Sequence, residues 1–189
     1  MTTFSANQVL DCKGLACPMP IVRTKKAMDG LKPGEVIEMQ ATDKGSLADI
    51  QGWAKNTGHY YLGTLHEGAV LRHFVRKASA EEEKEDATYG RSINNEELIA
   101  KLDAKDAIVV LDVREPAEYG FGHILGAVSI PLGELDNKHG ELSKESEIYV
   151  VCRTGKRSNY ACLHLNEKGF NVTNVVPGMS EWNGPKEEK

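Results

Sequence analysis

The sequence predicts an α/β protein built as two separate domains, and three observations lead there. Apolar runs of strand length alternate along the whole chain with segments that carry helix start and stop signals. The charge changes sign between the halves: residues 1–77 hold 10 Lys+Arg against 7 Asp+Glu, a balance of +3, and residues 78–189 hold 13 against 21, a balance of -8. Between them, the run from Ala78 to Gly90 is acidic, rich in small residues and almost free of large apolar groups, which is linker composition. The expected division is a first domain at 1–77, an acidic linker at 78–90 and a second domain at 91–189.

The first domain opens on a strand, Asn7 to Cys12, a turn at Lys13-Gly14, and then Leu15-Ala16-Cys17-Pro18-Met19-Pro20 running into a helix that should end near Asp29-Gly30. Proline is tolerated in a first helical turn, where the N–H it lacks would have no partner, so Pro18 and Pro20 fix Cys17 at or beside the N-cap. A sulfur held there faces the positive end of the helix dipole, and its thiolate is expected to be favoured. Glu35 to Thr42 alternate as a half-buried strand with Ile37, Met39 and Ala41 on one face. Ser46 to Asp49 has capping-box spacing and opens a second helix that stops at Gly58. Tyr60 to Leu65 and Ala69 to Lys77 read as a closing hairpin. Cys12 either packs in the core from the first strand or pairs with Cys17. His59, His66 and His73 are read as surface or hairpin residues and fall in no metal motif. Neither a metal nor any other cofactor is expected.

The second domain starts at Arg91, with an Asn94 to Glu97 capping box before a helix from Asn95 to Leu102. Ala107 to Val113 is apolar almost throughout, as a parallel strand covered on both faces is. It ends in Asp112-Val-Arg114, a carboxylate and a guanidinium at the strand end where open α/β sheets build their sites. Asp112 is expected to hold a loop cation, most simply Arg157, or else to form a plain salt bridge at the helix entry. The apolar run Ile148 to Val151 stops at Cys152 and gives way to Arg153-Thr154-Gly155-Lys156-Arg157, with a helix expected from Ser158. Backbone N–H groups, a helix N-terminus and three cations all favour an ionised sulfur there, so Cys152 is read as a nucleophile rather than a packed strand-end thiol. Cys162 falls on the following helix as core, His123 shapes a turn, Trp182 packs over the sheet, and Lys186 to Lys189 should fray.

These motifs carry two resemblances. Cys17-Pro18-Met19-Pro20, in the element order strand, helix, strand, helix, strand, strand, resembles the TusA (SirA-like) sulfur carriers over residues 7 to 77. That resemblance implies a two-layer α/β sandwich (βαβαββ) whose motif cysteine holds a persulfide. The second half resembles a rhodanese, or sulfurtransferase, domain. The strand through Asp112 and Arg114, Glu115-Pro116-x-Glu118-Tyr119, Gly122-His123-Ile124, the Cys152 to Ser158 loop and Pro177-Gly178-Met179-x-x-Trp182 follow in the family's order. This implies a central parallel sheet flanked by helices. The loop is Cys152-x4-Arg157, one residue shorter than the Cys-x5-Arg of cysteine phosphatases, a ring better matched to a persulfide sulfur than to a phosphate.

The expected activity is sulfur transfer. Cys152 takes the outer sulfur of thiosulfate or a low-molecular-weight persulfide, with Arg153, Lys156 and Arg157 favouring the departing anion and the N–H groups of Thr154 to Arg157 cradling the persulfide. Cys17 then accepts the sulfur and passes it to an external thiol or sulfur-accepting protein. A flexible linker of this length spans about 20 Å, which keeps the two thiols at an effective concentration on the order of millimolar. The rival reading is a redox-sensing or docking module with a Cys12–Cys17 disulfide. With no apolar run near the length of a membrane helix, no secretory signal pattern and a net charge of -5, the expected setting is cytoplasmic, without membrane or nucleic-acid partners.

Overall fold

The computed structural model describes residues 4–78 and 88–188, and the chain divides into two compact units, Met1–Lys84 and Glu85–Lys189. The linker expected at 78–90 lies mostly outside the described residues.

The N-terminal unit follows the expected order: β1 (Gln8–Asp11), α1 (Met19–Gly30), β2 (Val36–Ala41), α2 (Ser46–Thr57), β3 (Tyr60–Glu67) and β4 (Val70–Arg76). The strands form one sheet in the order β1-β2-β4-β3, with β1 and β2 parallel and the other pairs antiparallel. Met28 of α1 and Ile50 and Ala54 of α2 bury against Ile37, Met39 and Val75 of the sheet, and Cys12 lies in the same core with no exposure. The result is a two-layer sandwich. Burial pushes the Cys12 thiol up, and all four cysteines are free, so Cys12 is a core residue rather than half of a disulfide. β2 is more buried than its alternation predicts: Glu38, on the face away from the helices, is covered because the Arg72 guanidinium grips its carboxylate at 2.7 and 2.9 Å.

Two local expectations are corrected. Ser46 is not the N-cap of α2 but its first residue, after Gly45; its hydroxyl donates to the Asp43 carbonyl at 2.6 Å instead of capping the helix. Since that bond uses the only hydroxyl proton, Ser46 Oγ accepts from His73 Nε2 at 2.9 Å, and His73 Nδ1 then accepts from Thr64 Oγ1 at 2.6 Å. His73 lies in the hairpin, but not at its surface: it is fully buried as a neutral imidazole. Burial, helped by His66, holds its pKa down at about 4. The unfolded chain binds a proton here from about pH 6.5 downward and the folded one does not, so folding stability falls as pH drops from 6.5 toward 4. The loss reaches about 3 kcal/mol. Hydrogen exchange of β2 and β4 in the full chain should show this slope, and His73→Gln should remove it.

The C-terminal unit has β5 (Ser92–Ile93), α3 (Asn95–Asp103), β6 (Ile108–Asp112), α4 (Pro116–Gly120), β7 (His123–Ile124), β8 (Val128–Ser129), α5 (Leu135–Lys138), β9 (Glu147–Val151), α6 (Lys156–Glu167), β10 (Asn171–Val175) and β11 (Lys186–Glu187). Five parallel strands run in the order β5-β10-β9-β6-β8, which puts β9, and Cys152 at its carboxyl end, in the middle of the sheet. One face packs against Ala161, Cys162 and Leu165 of α6, and the other against Leu98 of α3 and Trp182. The capping box of α3 is present in full, with Asn94 and Glu97 exchanging 2.8 Å bonds. Lys186 and Glu187 are ordered where fraying was expected, while Lys189 lies outside the described residues: β11 pairs antiparallel with β7, and the Glu187 carboxylate meets His123 Nε2 at 2.9 Å. His123 is buried and stacked on Tyr119, consistent with a role in shaping that turn. Among the described residues, no helix is long and apolar enough to cross a membrane.

Candidate functional site

Cys152 leaves β9 just as the strand loses its partners, and the chain turns back over the sheet through Arg153, Thr154 and Gly155 into α6. The helix begins at Lys156, two residues earlier than expected, with Gly155 at its N-cap. This tight entry brings two donors onto sulfur: the Gly155 N–H at 3.2 Å and the Ser158 hydroxyl at 3.3 Å from Cys152 Sγ. Cys152 is 1% exposed, whereas Arg153, Thr154 and Lys156 are exposed. Cys162 shares its core cluster on α6; burial pushes that thiol well above the ordinary range, so it is inert packing beside a sulfur that has donors.

The cations divide differently from the sequence expectation. Arg157 is buried, and its guanidinium makes a two-pronged ion pair with Glu118 of α4 at 2.7 and 2.8 Å. Asp112 does not reach it. The Asp112 carboxylate is taken by Arg114, two residues on, through the backbone N–H at 3.0 Å and the guanidinium at 2.6 to 3.0 Å. Arg114 also donates to the Gly122 carbonyl at 2.8 Å, tying the end of β6 to the turn before β7. The plain salt bridge at the helix entry is therefore the one that forms, because the chain's own turn delivers Arg114 to Asp112 while α4 presents Glu118 to Arg157. Glu118 is one residue that the sequence does not point to; its position in a capping box, with its carboxylate accepting from the Glu115 N–H at 3.1 Å, hides its second partner.

The loop is also held from behind. The Cys152 carbonyl accepts from the Met179 N–H at 2.9 Å and the Arg153 carbonyl from the Ser180 N–H at 2.8 Å. The Gly155 carbonyl accepts from Asn174 Nδ2 at 3.1 Å as well as from the Asn159 N–H in the first turn of α6. Asn174 was missed because it sits inside a strand run, where its only sequence signal is an amide interrupting apolar residues.

Cys17 is exposed and stands one residue before Pro18, the N-cap of α1; Pro20 is buried in the first turn. Its ionisation runs opposite to the expectation. The Asp49 carboxylate of α2, with Asp43 adding to it, holds its pKa above the ordinary thiol value. The two carboxylates act against the helix end. Asp49→Asn should move the midpoint of Cys17 alkylation to lower pH in an iodoacetamide rate profile; an unchanged midpoint would remove Asp49 from the site.

Comparison with known proteins agrees with both units. The family model described as Sulfurtransferase TusA matches residues 8–77, and that described as Rhodanese-like domain matches residues 94–185. YrkF of Bacillus subtilis, whose name marks it as a candidate sulfur carrier protein, is 52% identical over 185 residues, 97% of this chain and 100% of its own. The sulfur carrier protein TusA of Allochromatium vinosum is 38% identical over 72 residues, 38% of this chain and 95% of its own. A rhodanese-like domain protein from Staphylococcus aureus, solved by crystallography, is 31% identical with a TM-score of 0.50, covering 52% of this chain and 98% of that one. With a relative matching from end to end and each half matched to its own family model, the chain belongs to the family that joins a TusA sulfur-carrier domain to a rhodanese-like domain in one polypeptide.

Proposed function

We propose that the protein is a sulfurtransferase that loads sulfane sulfur from thiosulfate or a low-molecular-weight persulfide onto Cys152 and relays it to Cys17. The observation that carries this reading is the pair of donors on Cys152 Sγ, a buried sulfur with hydrogen bonds of the kind an anionic or persulfide sulfur accepts. In the first displacement the Cys152 thiolate attacks the outer sulfur of thiosulfate. A new S–S bond forms, the bond to the sulfonate sulfur breaks, and sulfite leaves with the electron pair. Arg153 and Lys156, exposed at the loop, receive the anion; Arg157, engaged with Glu118, holds the loop's shape instead.

In the second displacement the Cys17 thiolate attacks the outer sulfur of the Cys152 persulfide, and Cys152 departs as a thiolate. The proton that Cys17 gives up to become that thiolate goes to solvent, to which this residue is exposed. A persulfide on Cys17 is then open to an external acceptor thiol, since that residue is exposed. The redox-module alternative is not favoured, because Cys12 is sealed in the core while Cys17 is outside it.

Stopped single-turnover loading, followed by mass, tests the first step with thiosulfate and glutathione persulfide as donors. The reading expects one sulfur gained on Cys152 and none on Cys152→Ser at that position. Equal labelling elsewhere with Cys152 untouched would overturn it.

A further inference from the structure

The donors that reach Cys152 Sγ are only as well aimed as the backbone that carries them. Two of the loop's carbonyls, those of Cys152 and Arg153, are drawn onto the turn Gly178–Glu181 by the N–H groups of Met179 and Ser180. Because a peptide group is planar and trans, drawing a carbonyl one way turns the N–H of the same peptide the other way. The turn therefore fixes the directions of the Arg153 and Thr154 N–H groups, and through them the course of the chain to the Gly155 N–H on sulfur.

At Gly178 that turn comes too close to the loop for the residue to carry a side chain. A Cβ at Gly178 would lie 2.4 Å from the Cys152 carbonyl oxygen. What holds Gly178 is Asn95, whose amide donates to the Gly178 carbonyl at 2.9 Å and accepts from the Gly178 N–H at 3.2 Å. Asn95 is buried and rigidly mounted. It is the first residue of α3, directly after the Asn94 cap, and one turn before Leu98, which is fully buried against Val175 and Trp182. A two-point amide clasp on one residue's N–H and C=O fixes both position and rotation of that peptide segment, which a single bond or an apolar contact does not.

We propose that Asn95 is a positioning residue for sulfur transfer at Cys152, acting through Gly178 and the 178–180 backbone to aim the loop's N–H groups at the sulfur. It touches neither donor nor sulfur. Its effect therefore belongs in the rate of the displacement and not in donor affinity, which rests on the exposed side chains of Arg153 and Lys156. The inference rests on the reading of Cys152 as the sulfur-accepting thiol.

The test is single-turnover loading of Cys152 by thiosulfate in the full chain, with rates expressed per folded molecule, for wild type, Asn95→Ala, Asn95→Asp and Leu98→Ala. Asn95→Asp keeps an acceptor for the Gly178 N–H but sets an oxygen against the Gly178 carbonyl, so it serves if the alanine variant is poorly folded. Both Asn95 variants should lose at least about 10-fold in the rate at saturating thiosulfate, because small misplacements of reacting groups cost on that order or more. The half-saturating thiosulfate concentration should stay within about threefold, as expected when ground-state binding is untouched. Leu98→Ala, which opens a cavity on the same helix, should lower the thermal midpoint but keep the rate per folded molecule within about twofold. Asn95 variants within twofold of wild type, or Leu98→Ala losing as much rate as they do, would overturn the proposal. If the wild type itself takes up no sulfur on Cys152, the functional reading fails, which is a different outcome from wild-type loading that Asn95 does not affect.

Discussion

Glu118→Ala is expected to destabilise the C-terminal unit by about 3–5 kcal/mol, the usual consequence of removing one partner of a buried ion pair. Glu118 and Arg157 are each about 5% exposed, and the two bonds between them are short and parallel. Removing the carboxylate leaves a guanidinium in the protein interior and also releases the Glu115 N–H that Glu118 accepts. The pair itself contributes much less than this number, since desolvating both charges offsets most of their attraction. Replacing both residues with methionine should therefore recover most of the lost stability. Urea denaturation of the single and double variants checks this, and a double variant as unstable as Glu118→Ala would show that the pair is not a self-contained unit.

Gly178→Ala should cost both stability and the loading of Cys152. The residue has a φ of +75°, and the added Cβ would meet the Cys152 carbonyl oxygen at 2.4 Å, a backbone atom with no rotamer to move. The left-handed conformation costs an L-residue about 1–2 kcal/mol, and overpacking against a fixed group adds about 1–3 kcal/mol. Relief comes by moving the Cys152 peptide, so the loading rate of Cys152 should fall about 100-fold, as a displacement near 1 Å does to a reacting group. Gly126 is the control: its φ is +77° and an added Cβ there meets nothing within 4 Å. Gly126→Ala should show the conformational cost alone, with loading unchanged. Similar losses for the two variants would mean that the contact with Cys152 is immaterial.

The fold was legible because its signals are local. Pro18 and Pro20 mark the start of α1, the Asn94–Glu97 box marks α3, and the apolar run before Cys152 is β9, all where the sequence places them. The partners of charged groups were not legible. Which of Asp112 and Glu118 takes Arg157 depends on how α4 lies across α6, and nothing in the spacing of those residues encodes that packing. The same holds for Cys17: the helix end beside it is written in the CPxP motif, while the opposing Asp49 arrives from a helix some thirty residues on. Asn95 and Asn174 were invisible for a related reason, since an amide gripping a distant backbone leaves no periodicity. His73 lies in the closing hairpin as expected, but not at the surface, because β4 runs inside the sheet between β2 and β3 and buries what an outer strand would expose.

The most direct measurement is intact-protein mass spectrometry, with peptide mapping, after brief exposure to thiosulfate or glutathione persulfide, on wild type, Cys152→Ser and Cys17→Ser. The relay predicts that Cys17 gains one sulfur in the wild type and none in Cys152→Ser, while Cys152 still loads in Cys17→Ser. Loading of Cys17 at the same rate without Cys152 would contradict it, and would make the two domains parallel carriers on one chain.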